Sequence, residues 1–187
     1  MNENTNKEQA SKAVTLSPVA QKFILHWGEM GTKWGINRTV AQVHALLYIS
    51  PEPLNAEQIT DTLQVARSNV STSLRELQGW GIINVVQRLG DRRDYFESMA
   101  DVWEMFRIIL AERKKREVDP TVEMLRTCVR EAAASKSEDH LKQRLAAMLD
   151  FMETAANSYD NVEKLPTRAL VKVAKMGDKI WRLLGVK

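Results

Sequence analysis

The sequence predicts a mainly α-helical protein in which a helix-turn-helix is followed by a two-stranded β-hairpin. Apolar residues recur every three or four positions through most of the chain, which is the period of amphipathic helices. Between residues 83 and 97 that period gives way to two short runs of β-prone residues on either side of Gly90. The chain has 187 residues, 44% of them hydrophobic, which is enough to form a sizeable core. We therefore expect a winged helix-turn-helix with further helices before and after it.

The sequence pattern divides the chain into four segments. Residues 1–16 begin with a polar stretch rich in Asn, Glu and Lys that lacks the pattern of a signal peptide, and they are expected to form a flexible tail. Residues 17–36 predict an N-terminal helix for dimerisation or packing. Residues 37–99 are assigned to the winged helix-turn-helix, and residues 100–187 to a helical region for dimerisation or effector binding.

The first helix is expected to begin at Ser17-Pro18, because proline suits the first helical turn, where its missing N–H is not needed. The helix should end at Gly35, and a second helix is expected from Asn37 to Ile49. The apolar stripe predicted for the first helix consists of Phe23, Trp27, Met30 and Trp34.

Asn55 marks the start of the first helix of the helix-turn-helix. Its side chain is expected to cap that helix, with Gln58 reaching back to form a capping box. Leu54 and Ile59 take the positions of a hydrophobic staple. The turn of the motif is expected at residues 64–66.

The second helix of the motif has an apolar face and a polar face. Val70, Leu74 and Leu77 lie at helical spacing and should pack on the core. Gly81 should end the helix in a left-handed conformation, which lets Ile82 pack back on Leu77. The residues expected to point outward are Arg67, Ser68, Asn69, Ser71, Thr72, Ser73 and Arg75.

The polar face of this helix is chemically suited to the major groove of duplex DNA. Arg fits guanine edges or phosphate, Asn fits adenine, and Ser or Thr fits base edges or phosphate oxygens. A face that met only solvent would more often carry Glu and Lys. The alternatives are a polar solvated face and a winged helix that binds another protein. The candidate groove-contacting residues are Arg67, Ser68, Asn69, Ser71, Thr72 and Arg75.

The tip of the hairpin carries an acidic residue among basic ones. Asp91 and Arg93 stand two apart, so they can lie on the same side of an extended segment. Asp91 could hold the guanidinium of Arg93, or that of Arg88, poised for the narrow, electronegative minor groove, while Arg92 is assigned to a phosphate. A surface salt bridge of low energy is the simpler alternative. Because the hairpin follows a helix-turn-helix directly, we favour DNA contact for all four residues.

The order of these residues resembles the MarR superfamily, and more closely its GbsR branch, over about residues 17–135. The resemblance implies a homodimeric winged-helix transcriptional regulator. Relatives usually have Ser where Ala66 stands, near the N-cap of the recognition helix, and its loss should cost about 1 kcal/mol of local helix stability. The residues that carry the resemblance are Trp34-Gly35-Ile36-Asn37-Arg38, Leu63, Val65, Arg67-Ser68-Asn69-Val70-Ser71, Leu74-Arg75-Glu76-Leu77, Trp80-Gly81-Ile82, Gly90-Asp91-Arg92-Arg93-Asp94-Tyr95 and Asp101-Val102-Trp103-Glu104-Met105-Phe106.

The helices after the hairpin are predicted from capping signals and apolar spacing. Asp101 with Glu104 forms a capping-box pattern, Asp119-Pro120 predicts a break and restart, residues 135–137 predict a polar link, and Pro166 opens the last helix. The apolar faces predicted for these helices are Val102, Phe106, Ile109 and Leu110; Val122, Leu125, Val129 and Ala132; Leu141, Leu145, Met148, Met152 and Ala155; and Leu170, Val173, Gly177, Trp181 and Leu184.

Composition limits the remaining function classes. The formal net charge is only +3, so DNA affinity must come from clustering of the arginines rather than from the overall balance. The single cysteine, Cys128, predicts a buried structural thiol in a reducing cytoplasm, and three scattered histidines predict neither a metal site nor a cofactor. No apolar run is long enough to span a membrane. Residues 112–117 are interpreted as a solvated helix face.

The expected partners are double-stranded DNA and a second copy of the chain. A two-fold dimer presents two recognition helices about 34 Å apart and therefore reads a near-palindromic operator. A small-molecule effector is a further expectation, since the five tryptophans could form a cage for a quaternary ammonium group. The competing interpretation is a protein–protein interaction module without sequence-specific DNA binding. An enzyme is the weakest interpretation, because no catalytic motif stands out.

Overall fold

The computed structural model describes residues 13–134 and 138–177. The chain divides into two units after Ala100. The elements of the first unit are α1 (Pro18–Lys33), α2 (Arg38–Ile49), β1 (Leu54–Asn55), α3 (Ala56–Leu63), α4 (Arg67–Gly79), β2 (Ile83–Gln87) and β3 (Asp94–Ser98). The predicted winged helix-turn-helix is therefore confirmed, with α3 and α4 as the motif and β2 and β3 as the wing.

The sheet contains one strand more than the sequence predicts. Its order is β1-β3-β2, with both pairs antiparallel, and Phe96 of β3 lies opposite Leu54 on one side and Val85 on the other. The extra strand β1 is only two residues long. A strand of two residues shows no alternation of apolar and polar side chains. The sequence therefore predicts only the two strands of the hairpin.

The core of the first unit lies around α2, which packs against both α1 and α4. Because α2 is covered on several sides, its burial extends over adjacent positions such as Ala45, Leu46 and Leu47. The remaining core side chains come from every other part of the motif, including Ile59 of α3, Val70 and Leu77 of α4, and Ile82, Ile83, Tyr95 and Phe96 around the sheet.

The buried face of α1 is not the predicted aromatic stripe. Trp34 is 51% exposed, whereas Ile24, Gly28 and Gly31 are buried. A Cβ added at Gly31 would lie 2.6 Å from the Cβ of Ala41, so the two helices approach closely at the glycines. Hydrophobic spacing gives little indication of this face, because two of its three buried residues are glycines.

The predicted boundaries of the helix-turn-helix are confirmed. Asn55 and Gln58 form a reciprocal capping box, with Asn55 Oδ1 accepting from the Gln58 N–H at 2.9 Å. At the end of α4, Gly81 has a φ of 74°, and the Ile82 N–H donates to the Leu77 carbonyl at 3.2 Å, as a Schellman ending requires. Ala66 stands at the N-cap of α4 without a side-chain hydrogen bond.

The described part of the second unit consists of helices and short connections. Its elements are α5 (Val102–Arg113), a π-helical turn (Lys114–Val118), α6 (Asp119–Ala134), α7 (Asp139–Lys164) and α8 (Thr167–Lys175). None of the helices in the described ranges of the chain is long and apolar enough to cross a bilayer. The predicted link at residues 135–137, together with Trp181 and Leu184, lies outside the described residues.

The predicted break and restart at Asp119-Pro120 is confirmed in part: α6 begins at Asp119, but a π-helical turn joins it to α5 and the chain does not leave the helical conformation. The Asp119 N–H donates to the Lys114 carbonyl, five residues back, in the wider turn of a π-helix. Pro120 is the second residue of α6 and has no N–H to donate to the preceding turn; the gap falls next to the π-helical turn.

Several smaller predictions for the second unit need correction. On α5 the buried residue is Met105, while Val102 and Phe106 are exposed. The stretch 112–117 is not a simple solvated face, because Lys114 Nζ lies 2.9 Å from Asp119 Oδ1 and 3.1 Å from Asp160 Oδ1. Cys128 is half-buried rather than part of the core. The predicted α6 face is confirmed by the burial of Val122, Leu125 and Ala132.

Candidate nucleic-acid interface

The outward face of α4 is available to a ligand. The six predicted groove-contacting residues, Arg67, Ser68, Asn69, Ser71, Thr72 and Arg75, are all exposed. Ser73 was also expected to point outward, but it is buried. The helical period explains this correction, because position 73 lies on the same side of α4 as Val70 and Leu77.

On the wing, the carboxylate of Asp91 holds the guanidinium of Arg93 in place. Arg93 Nε lies 3.0 Å from Asp91 Oδ1, and Arg93 Nη2 lies 2.6 Å from Asp91 Oδ2. The backbone N–H of Arg93 also donates to Asp91 Oδ1 at 3.0 Å. Of the two partners considered for Asp91, the structure pairs it with Arg93, in a two-point contact that fixes the plane of the guanidinium.

Electrostatics keep both members of this pair charged. The side-chain hydrogen bond from Arg93 holds the pKa of the Asp91 carboxyl well below its usual range, and the Arg93 backbone N–H and the Tyr95 hydroxyl act in the same direction. The hydrogen bond to Asp91 in turn raises the pKa of Arg93. The pair is therefore ionised at any pH near neutrality and does not act as a pH sensor.

Arg88 packs on the ring of Tyr95 rather than on Asp91. Its guanidinium carbon stands 4.2 Å from the centroid of the Tyr95 ring, in a cation–π contact. Its Nη2 also lies 3.4 Å from the carbonyl oxygen of Pro53 and 3.6 Å from Glu52 Oε2. A DNA contact for Arg88 stays a prediction.

Glu57 is a charged residue of this surface that the sequence analysis missed. Its Oε1 lies 3.1 Å from Arg67 Nη1, and its Oε2 lies 3.5 Å from Arg93 Nη1. The carboxylate therefore stands between the recognition helix α4 and the wing. An acidic residue in the first turn of a helix is common, so its local sequence gives no signal of this role.

Tyr95 was missed as well, although a signal was present. Asp91, Arg93 and Tyr95 are spaced by two, so an extended strand places all three on one side. The Tyr95 ring is buried, and its hydroxyl donates to Asp91 Oδ2 at 2.9 Å. Tyr95 thus joins the wing tip to the core.

A groove of about 440 Å³ lies between α4 and the wing. It brings Arg67, Ser71 and Arg75 of the helix together with Arg92 and Arg93 of the wing, whereas Arg88, Ser68, Asn69 and Thr72 are not part of its lining. The charged side chains that line it are Glu57, Arg67, Arg75, Arg92, Arg93 and Asp94, so positive charge prevails. Such a surface attracts a polyanion.

Comparison with known proteins agrees with this arrangement. Residues 34–94 match the model of the MarR family. The chain carries a MarR-family domain. The matched range runs from the end of α1 through both helices of the motif to the first residue of β3.

Two similar proteins match the chain over a longer range than the MarR-family domain. The HTH-type transcriptional repressor GbsR of Bacillus subtilis (strain 168) is 22% identical over 140 residues, covering 71% of this chain and 75% of that protein. A crystal structure of a transcriptional regulator matches with a TM-score of 0.61 and 19% identity, over 84% of this chain and 99% of that one. At that identity the structural match supports the fold, and it does so along most of the chain.

Proposed function

We propose that this MarR-family transcriptional regulator binds duplex DNA sequence-specifically, with α4 in the major groove and the wing in the adjacent minor groove. The observation that carries the proposal is the groove in which the exposed arginines of α4 and the wing arginines share one surface. MarR-family proteins are transcriptional regulators rather than enzymes.

The two parts of this surface suit two kinds of contact. On α4, Arg67, Asn69 and Arg75 offer the fork and amide groups that discriminate guanine and adenine edges, and Ser68, Ser71 and Thr72 offer short donors to bases or phosphates. On the wing, Arg93 is held by Asp91 and suits the electronegative minor groove, while the exposed Arg92 suits a phosphate.

We propose a homodimer as the DNA-binding form. One winged helix reads only a few base pairs, and a two-fold pair spaced by one DNA turn of about 34 Å reads a near-palindromic operator. Exposed apolar residues on α7 support a partner surface, since Leu141, Met148 and Phe151 lie on one face of a helix. Light scattering after size exclusion at micromolar concentration tests this, and a monomer under those conditions would contradict it.

The decisive experiment for DNA binding is selection from a random-sequence duplex pool, followed by anisotropy titrations over a range of salt concentrations. We expect one enriched near-palindrome, and an affinity that falls steeply between low and moderate salt as phosphate contacts are lost. Binding that is insensitive to salt, or a pool without enrichment, would instead favour a module that binds protein. Control by a small-molecule effector is proposed from the tryptophan content and the resemblance. Because the proposed function requires access to DNA, we also propose a cytoplasmic location.

A further inference from the structure

We infer that Glu57 is a specificity-determining positioning residue for DNA binding. Its carboxylate holds Arg67 of the recognition helix and Arg93 of the wing in one relative geometry, and thereby favours the selected operator over other duplexes. This inference rests on the proposed function and adds to it a residue that itself makes no attractive contact with DNA.

Glu57 is well placed to link two elements because its own position is fixed. It follows the N-cap Asn55 by two residues in the first turn of α3, and the capping box of that helix fixes its backbone. One carboxylate oxygen contacts Arg67 at 3.1 Å, and the other contacts Arg93 at 3.5 Å. Each guanidinium thus has an oxygen of its own, so the two contacts form together.

The contact with Glu57 leaves part of Arg67 able to bind a ligand. Among the described residues only Nη1 of Arg67 makes a hydrogen bond, so its Nε and Nη2 still present donors. The side chain is 64% exposed. A guanidinium held at one edge can still offer two donors to a guanine, but it cannot swing freely toward any nearby phosphate.

The charge of Glu57 also opposes indiscriminate binding. The carboxylate lies in the lining of a positive groove, where it reduces the attraction for phosphate and the counterion release that drives non-specific affinity. Replacing it with an amide would add one unit of positive charge, release Arg67 and leave Arg93 held by Asp91 alone. Both effects would strengthen binding to any duplex, while the geometry set for the operator would be lost.

A purely structural salt bridge would act differently. The Arg67 side chain is 64% exposed and that of Glu57 42%, and solvent-accessible ion pairs contribute little to folding. If the role were only structural, Glu57→Gln would change DNA affinity through its charge alone, equally for all sequences, and would leave the preference among sequences unchanged. The ratio of the operator Kd to the non-specific Kd is the quantity that separates the two roles.

The test compares Glu57→Gln and Glu57→Asp with Glu97→Gln in the full-length protein. Glu97 is an exposed carboxylate on β3 that makes no ion pair within the described part of the chain, so its variant matches the charge change of Glu57→Gln. The probes are the duplex enriched by the wild type from a random pool and a shuffled duplex of equal composition, at matched salt. Circular dichroism and urea unfolding check that each variant is folded.

We expect Glu57→Gln to bind the shuffled duplex more tightly and to lower the specificity ratio about tenfold, the scale of losing one well-oriented Arg–base contact. Glu57→Asp keeps the charge but is one methylene shorter, so it should lower the ratio mainly by weakening operator binding. Glu97→Gln should raise both affinities alike and leave the ratio unchanged.

Two results would overturn the inference. If Glu57→Gln changes both affinities in the same proportion as Glu97→Gln, Glu57 contributes only bulk charge. If Glu57→Asp keeps the wild-type ratio, positioning is not its role. Failure of the proposed function looks different, because the wild type itself would then bind the operator and the shuffled duplex equally.

Discussion

The hydroxyl of Tyr95 donates to Asp91 Oδ2 at 2.9 Å, the same oxygen that Arg93 Nη2 contacts at 2.6 Å. A side chain buried in the core thus orients the carboxylate, and the carboxylate orients the arginine proposed for the minor groove. The direction of Arg93 is consequently set from inside the domain.

Replacing Tyr95 with Phe should loosen Arg93 without unfolding the domain. The variant keeps the ring and its contact with Arg88 but loses one hydrogen bond, which is worth roughly 0.5–1.5 kcal/mol. We expect operator affinity to fall severalfold while the urea midpoint falls only slightly. Tyr48→Phe, a change on a partly exposed ring of α2, is the matched control and should affect neither quantity. Equal affinities for wild type and Tyr95→Phe would disprove this orienting role.

The two wing arginines should differ in what their loss does. Arg93→Ala should weaken operator binding markedly with little change in thermal stability, because its ion pairs remain partly exposed to solvent. Arg92→Ala should weaken binding about equally for all sequences and reduce the salt slope by about one. Salt-controlled gel-shift titrations measure both effects. Unchanged affinity in Arg93→Ala would show that the wing assignment is wrong.

His44 should make stability depend on pH. Its side chain is buried on α2, and desolvation lowers its pKa from 6.5 to about 4. As pH falls, His44 therefore binds a proton near pH 6.5 in the unfolded state but only near pH 4 in the folded state. The contribution of His44 to stability is complete above pH 6.5 and is lost as pH falls toward 4. The loss approaches about 3 kcal/mol at the low end, from 1.36 kcal/mol per pKa unit.

Urea unfolding of the wild type at pH 7, 5.5 and 4.5 measures this loss, and His44→Gln serves as the comparison. Glutamine removes the titrating group while keeping a polar side chain near Ser98 Oγ, which lies 3.3 Å from His44 Nε2. The gap in unfolding free energy between the two proteins should narrow as pH falls. Parallel pH profiles would rule out His44 as the source.

Gly31→Ala should destabilise the packing of α1 on α2. The added methyl would lie 2.6 Å from the Cβ of Ala41, and neither atom can rotate away, so a cost of about 1–3 kcal/mol is expected. Gly79→Ala on α4 meets nothing within 4 Å and should be neutral or slightly stabilising. Thermal unfolding of both variants checks the contrast. A Gly31→Ala protein as stable as the wild type would mean that the helices can move apart at little cost.

Local chemistry explains which parts of the fold could be predicted. Asn55 and Gly81 define helix ends through contacts within a few residues, so their roles are visible in the sequence. Glu57 is 36 residues from Arg93 in the chain, and only folding brings the two together. The buried face of α1 likewise depends on the partner helix, since glycines mark a close approach only once the neighbour is known.

Asn55 has a consequence for protein engineering. The same residue pairs with Tyr95 in the sheet and caps α3, the helix that carries Glu57. The wing therefore cannot be exchanged without the residues that precede α3. A chimera that imports residues 83–98 from a MarR-family protein would also replace Tyr95, which pairs with Asn55, and Arg93, which pairs with Glu57, so the unit to transplant begins at residue 54.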